Sequence, residues 1–194
     1  MNGKGTMALA ALLALAGCGG GTTEAPPLAG ASMGGPFRLT GETGRPFGDA
    51  DLQGQYRIMY FGFASCPDVC PTDLQVIGQG LKRFEKADPA RGAKVTPVFV
   101  SVDYTRDTPD VLRTYTDAFH PRLVGATGSK AALDAVAKAY GAAYTVQKGE
   151  TPDATTVNHS RVAVLYGPGG EPLAILPTEQ GADAVAAELG KWVK

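Results

Sequence analysis

Two cysteines separated by three residues raise the question of chemistry. Cys66 and Cys70 lie in F-A-S-C-P-D-V-C-P-T-D-L, residues 63–74, and are two of only three cysteines in 194 residues. An apolar, strand-like run precedes them and a helical pattern follows. Thiols at such a junction can form a disulfide, exchange one, or hold a soft metal. Residues four apart on a helix have Cβ atoms about 5–6 Å apart, close to what a disulfide tolerates after a small backbone adjustment. A helix N-terminus also depresses thiol pKa values, which favours the thiolate that attacks disulfides or binds metal. The plainer reading is a structural disulfide or two buried thiols. Pro67, Asp68 and Pro71 weigh against it, because they make this a turn and turns are exposed.

The elements that must carry this pair are legible on both sides of it. Residues 57–63 (R-I-M-Y-F-G-F) form a nearly continuous apolar run, the mark of a strand buried on both faces. Leu74, Ile77, Leu81 and Phe84 recur at helical spacing and predict a helix over 72–84. Residues 94–102 read as a second buried strand ending at Asp103. Asp107 and Thr108 before Pro109 predict a capped helix to about residue 119. A short strand follows at 123–126, then a helix capped by Ser129 and running to Tyr140, with Leu133 and Val136 on its apolar face. Residues 143–146 read as a short strand. Strands at 161–166 and 171–176 are joined by G-P-G-G, and a helix over 183–193 closes the chain. Upstream, residues 37–39 and a run near Phe47 flank G-E-T-G-R as an N-terminal β-hairpin. This order implies an α/β fold: a mixed sheet with helices on both faces. A cysteine motif after a βα junction is the thioredoxin-like arrangement.

The first residues read as a targeting segment. Lys4 precedes an apolar run at 7–16, too short to span a bilayer as a helix. L-A-G-C at 15–18 then resembles the lipobox of bacterial lipoproteins, which implies that residues 1–17 are a signal peptide and that Cys18 is lipidated. Glycine, proline and small residues dominate 18–36, the composition of a flexible tether. Residues 37–194 have the size of one domain. Losing residues 1–17 removes only Lys4, leaving 17 basic against 19 acidic residues, a net charge of −2. No nucleic-acid partner is expected, since that calls for a basic patch.

Three motifs in order, C-P-D-V-C-P (66–71), F-V-S-V-D-Y-T-R-D-T-P (99–109) and V-N-H-S (157–160), resemble the Sco/SenC family. Those are thioredoxin-like, membrane-tethered copper proteins that help assemble the CuA centre of cytochrome c oxidase. Carried over by position, Cys66 and Cys70 correspond to the two copper-binding thiols, and His159 to the third ligand, on a loop before the terminal hairpin. The chain departs from the pattern at Asn158, where the family usually has Asp, and at Tyr104, where it usually has Pro. Asn158 removes a carboxylate beside the metal, which bears on charge balance for Cu(II). The donor chemistry agrees: thiolates select Cu(I) and imidazole also suits Cu(II), so a Cys₂His set can hold either state. His120, in F-H-P, reads as a surface loop residue. Asp68 and Asp103 can tune the site or cap turns, and capping is the expectation for Asp68.

The resemblance implies a metallochaperone in the bacterial periplasm, lipid-anchored to the membrane, that delivers copper to the CuA-bearing subunit. A periplasmic thiol reductase and another periplasmic copper chaperone are the implied partners. The alternative is a thiol-disulfide oxidoreductase that reduces the oxidase's copper-ligand cysteines, with Cys66 and Cys70 as its redox pair. Its usual spacing is C-x-x-C, and it gives no reason for His159.

Overall fold

A computed structural model describes residues 24–151 and 155–194. In chain order the strands are β1 (Arg38–Gly41), β2 (Pro46–Gly48), β3 (Tyr56–Gly62), β4 (Val95–Ser101), β5 (Val124–Thr127), β6 (Tyr144–Gln147), β7 (Thr156–His159), β8 (Ala163–Tyr166) and β9 (Pro172–Ile175). The helices are α1 (Val69–Ala87), the single turn α2 (Pro89–Gly92), α3 (Pro109–Asp117), α4 (Lys130–Ala139) and α5 (Ala182–Trp192). Seven strands form one mixed sheet in the order β2-β1-β5-β4-β3-β8-β9, while β6 and β7 make a separate antiparallel ribbon.

β3 is the strand that aims the site. It lies parallel to β4 and antiparallel to β8, and every residue in it is buried. Alternation along a strand sends neighbours to opposite faces. Tyr60 therefore shares a face with its register partner Phe99, ring on ring at 6.4 Å. Phe61 faces the other way, towards Tyr140 at 6.3 Å.

α1 begins at Val69, three residues before the expected start at residue 72, so Cys70 belongs to its first turn. The apolar rhythm that announces the helix begins only at Leu74, which hid this turn. Pro71 is compatible with it, because the first N–H groups of a helix lack intrahelical partners anyway. Leu74, Ile77, Leu81 and Phe84 are all buried. Gly80 lets α5 come close: a Cβ there would sit 2.6 Å from Val185 Cγ1. Thr108 and Ser129 cap α3 and α4 through their side chains, as their positions predict.

Two further differences concern segments without a strong apolar pattern. Residues 24–36, which composition places in the tether, lie against the domain. Leu28 N–H donates to Leu173 O at 3.0 Å, Gly34 N–H to Ala139 O at 2.7 Å, and Tyr140 Oη to Gly35 O at 2.8 Å. Leu28 and Met33 also pack on the core. Second, His159 ends a strand, β7, instead of lying in a loop. T-V-N-H is too short and polar to announce itself, and it forms because β6 pairs with it, Tyr144 opposite His159 and Val146 opposite Val157.

Candidate metal centre

The chain leaves β3 through Phe63, and the next residues turn back to enter α1. Cys66 N–H donates to Phe63 O at 3.2 Å, closing that turn. Ala64 N–H donates to Asp107 Oδ2 at 2.7 Å, and the Ser101 hydroxyl donates to the same oxygen. Asp107 is buried, and burial raises its pKa. It ties the cysteine loop to the end of β4. Cys70, one helical turn on, donates its N–H to Cys66 Sγ at 3.4 Å. Its own sulfur rests against the end of β3, where a Cβ on Gly62 would lie 2.8 Å from it.

β7 brings His159 to this pair. The ligand atoms of Cys66, Cys70 and His159 lie within 4.8 Å of one another, the one such group of metal-ligating side chains among the described residues. Both cysteines are free thiols and both are buried, Cys70 completely. The exposure expected from the turn residues holds for Pro67 and Asp68 but not for the thiols, which belong to the same core cluster as Tyr60 and Phe63. The Phe63 and Tyr60 rings stand nearly perpendicular to the imidazole, at 5.9 and 6.2 Å.

The tautomer of His159 follows from its partners. Nδ1 is 3.1 Å from Ser160 O, a carbonyl that can only accept, so Nδ1 carries the proton. Nε2 then presents its lone pair to Cys70 Sγ, 3.1 Å away. A backbone carbonyl fixing the far nitrogen of a histidine is how ligating imidazoles are commonly oriented. Burial pushes the Cys70 thiol well above its ordinary range, partly offset by the Phe63 backbone. The thiol therefore donates to Nε2 in the metal-free protein. For Cys70 burial thus works against the thiolate expected at a helix N-terminus. A metal held here would take two sulfurs and one nitrogen and displace that proton. The donor set suits copper in either state. A structural zinc site wants four protein ligands.

A second layer of polar groups backs the site. Asp73, fully buried one turn beyond Cys70, accepts from Tyr60 Oη at 2.9 Å and from Arg161 Nε and Nη2, each at 2.7 Å. Neither residue stands out in the sequence, where Asp73 falls within the predicted helix 72–84 and Arg161 opens the predicted strand 161–166. Asp103 caps its turn, accepting from Thr105 and from Arg106 Nε. Its pKa is lowered: burial works upward, and those hydrogen bonds outweigh it. Asp68, for which capping is expected, stands at the N-cap of α1 without a side-chain capping bond. Its backbone carbonyl accepts from Thr72 instead.

The remaining candidates fall away from the centre. His120 is buried and not a surface residue, with Nδ1 accepting from Arg122 N–H and Nε2 3.4 Å from Glu85 Oε2. F-H-P looks like a loop, but it packs under α1, where a Cβ on Gly78 would meet Phe119 O at 2.7 Å. Alternation along β7 leaves Asn158 exposed on the face opposite His159, so an acid there would face solvent. Tyr104 lies half-buried beneath Lys148, whose Nζ is 6.0 Å from its ring. Cys18 lies outside the described residues.

Comparison with known proteins leads to the same family. The SCO1/SenC family model matches residues 25–194. Protein SenC of Rhodobacter capsulatus is 42% identical over 140 residues, 72% of this chain and 61% of that protein. The chain spans about half the length of the curated relatives it matches, 46% and 53% in two others. Yeast Sco1, solved with copper bound, is 31% identical with a TM-score of 0.76, covering 84% of this chain and 88% of that one. The thioredoxin domain of a thiol-disulfide oxidoreductase from Bacteroides vulgatus is 18% identical with a TM-score of 0.56 over 84% of this chain and 96% of its own, a likeness that shows the thioredoxin-like fold.

Proposed function

This chain belongs to the SCO1/SenC family, and from that premise we propose that it holds one copper between Cys66, Cys70 and His159 and delivers it to the CuA-bearing subunit of cytochrome c oxidase. The observation that carries this is the convergence of two free thiols and one lone-pair-bearing imidazole nitrogen within 4.8 Å. The ligands come from three separate elements: the loop after β3, the first turn of α1 and the end of β7. A redox pair alone has no use for the third.

In this reading the chain's own groups do three things. Nδ1–H···O=C holds the imidazole so that Nε2 faces the sulfurs. The Tyr60 and Phe63 rings exclude water. The Cys70 proton leaves on metal entry and returns on release, so transfer proceeds by ligand exchange with incoming thiols. Reduction of a Cys66–Cys70 disulfide precedes loading, which assigns a partner thiol reductase. The L-A-G-C motif supports lipidation at Cys18 and a periplasmic, membrane-anchored setting. Another periplasmic copper chaperone is the expected donor.

The test is Cu(I) titration of the reduced, anaerobic protein against a competing chelator, beside His159→Ala and Cys66→Ser/Cys70→Ser. One tightly bound copper, lost without the thiols and weakened without His159, is expected. Failure to compete with even a weak chelator would leave the thiol pair to redox exchange.

A further inference from the structure

The ribbon β6–β7 shares no ladder with the seven-stranded sheet. His159 thus arrives at the site on a ribbon that shares the core through Val157 but no ladder, while β3 carries Tyr60 and α1 carries Cys70. Local bonds close the ribbon on itself, Ser160 N–H donating to Ala143 O and Ala143 N–H to Ser160 Oγ, and Tyr144 Oη ties β6 to Asp134 of α4. Those bonds run within the ribbon and to α4, and the Cys-bearing helix α1 takes a separate tie.

Arg161, two residues past His159, supplies that tie. Its guanidinium grips the Asp73 carboxylate with two parallel hydrogen bonds of 2.7 Å. That fork sets orientation as well as distance. Asp73 stands three residues after Cys70, on the same face of α1. The carboxylate is fully buried, and its second partner is Tyr60, whose ring flanks the imidazole. One buried acid therefore gathers the His-bearing segment, the Cys-bearing helix and the ring of β3 that lies between them.

We propose that Asp73 and Arg161 are positioning residues for the metal site, a clamp that sets where His159 Nε2 meets the Cys70 sulfur. The proposal rests on the copper reading above for its metal-binding arm, and its metal-free arm stands without that reading. An alternative account, an ion pair that merely stabilises the fold, makes a different prediction once His159 is removed.

The experiment is a double-mutant cycle in the full chain, reduced and anaerobic. Arg161→Ala leaves a buried carboxylate uncompensated and can disturb folding. Arg161→Lys is run beside it, because lysine keeps the charge and loses the fork. Cu(I) affinity by chelator competition is expected to fall about tenfold in Arg161→Ala and by a smaller factor in Arg161→Lys, tenfold being ~1.4 kcal/mol. In a His159→Ala background neither substitution lowers it further. Equal losses with and without His159 would overturn the clamp, as would affinities within twofold of wild type. The metal-free arm follows the imidazole ¹⁵N resonances. Those of His159 shift or broaden in both Arg161 variants, while those of His120 stay put as an internal reference. Unmoved His159 resonances refute the clamp even in a protein that binds no copper, and wild-type protein that binds no copper refutes the metal reading alone.

Discussion

Gly62 is where a single methyl group should separate the site from the fold. A Cβ at this position would lie 2.8 Å from Cys70 Sγ, 2.9 Å from Phe99 Cε2 and 3.3 Å from Tyr60 Cε1. Carbon atoms in contact prefer about 3.5–4.0 Å, so Gly62→Ala requires the sulfur and the Phe99 ring to retreat by up to ~1 Å. Overpacking of this kind costs about 1–3 kcal/mol. For a domain of this size that is a fall in Tm of ~2–12 °C. The metal site is less forgiving, since ligand distances are defined to about ±0.2 Å. Copper affinity is therefore expected to drop at least ~10-fold, equivalent to ~1.4 kcal/mol. Gly80→Ala is the matched control. Its Cβ meets Val185 Cγ1 at 2.6 Å in the α1–α5 contact, away from the thiols. It should lower Tm, less the ~1 kcal/mol that alanine returns in helix propensity, and leave copper binding unchanged. Chelator competition and thermal melts on both variants decide the matter. A Gly62→Ala protein that melts and binds copper like wild type refutes the close approach of β3 to Cys70. Equal copper losses in both variants would show that general stability, not sulfur position, governs the site.

Other outcomes follow from the same geometry. Cys66 retains slight exposure while Cys70 has none, so limiting iodoacetamide should label Cys66 first, read by peptide mass spectrometry. Burial raises the Cys70 pKa, so copper uptake releases its proton and apparent affinity should rise with pH, up to ~10-fold per unit for each proton released. Burial holds His120 below its ordinary value of 6.5, partly offset by Glu85. Between the lowered folded value and 6.5 the unfolded chain binds the extra proton, so stability falls as pH drops through that window and is untouched above it. Tm measured from pH 7 downward should decline less steeply in His120→Asn. Asp107→Ala strands the Ala64 N–H and the Ser101 hydroxyl, and a Tm loss corresponding to ~1–3 kcal/mol is expected.

Legibility in the sequence tracked the strength of local signals. β3 and β4 announce themselves as continuous apolar runs because both faces are buried, and α3 and α4 carry caps at the expected residues. The cysteine pair is visible from spacing, and V-N-H-S supplied the histidine through family resemblance. What stayed hidden depends on contacts distant in sequence. β7 exists because β6 pairs with it. Gly62 looks like any strand glycine until Cys70 lies across it. Asp73 and Arg161 are 88 positions apart, and neither alone points to the other. His120 misled in the opposite sense: a polar residue beside proline suggests a surface, yet α1 closes over it. Burial of Cys70 is hidden for a related reason, since a helix terminus can be read from sequence but the core that closes over its first turn cannot.

The segment that lies against the domain before β1 also bears on solution behaviour. An open sheet ends in two strands whose unpaired backbone groups invite another chain to add on. At one end here stands β2, three residues long and begun by Pro46. At the other stands β9, begun by Pro172 and carrying the exposed Ile175. The Leu28 N–H takes up Leu173 O on that strand. Brevity and proline guard one margin, and the protein's own N-terminal segment guards the other. Deleting residues 24–36 should therefore expose an adhesive edge, and the cost would show first as self-association.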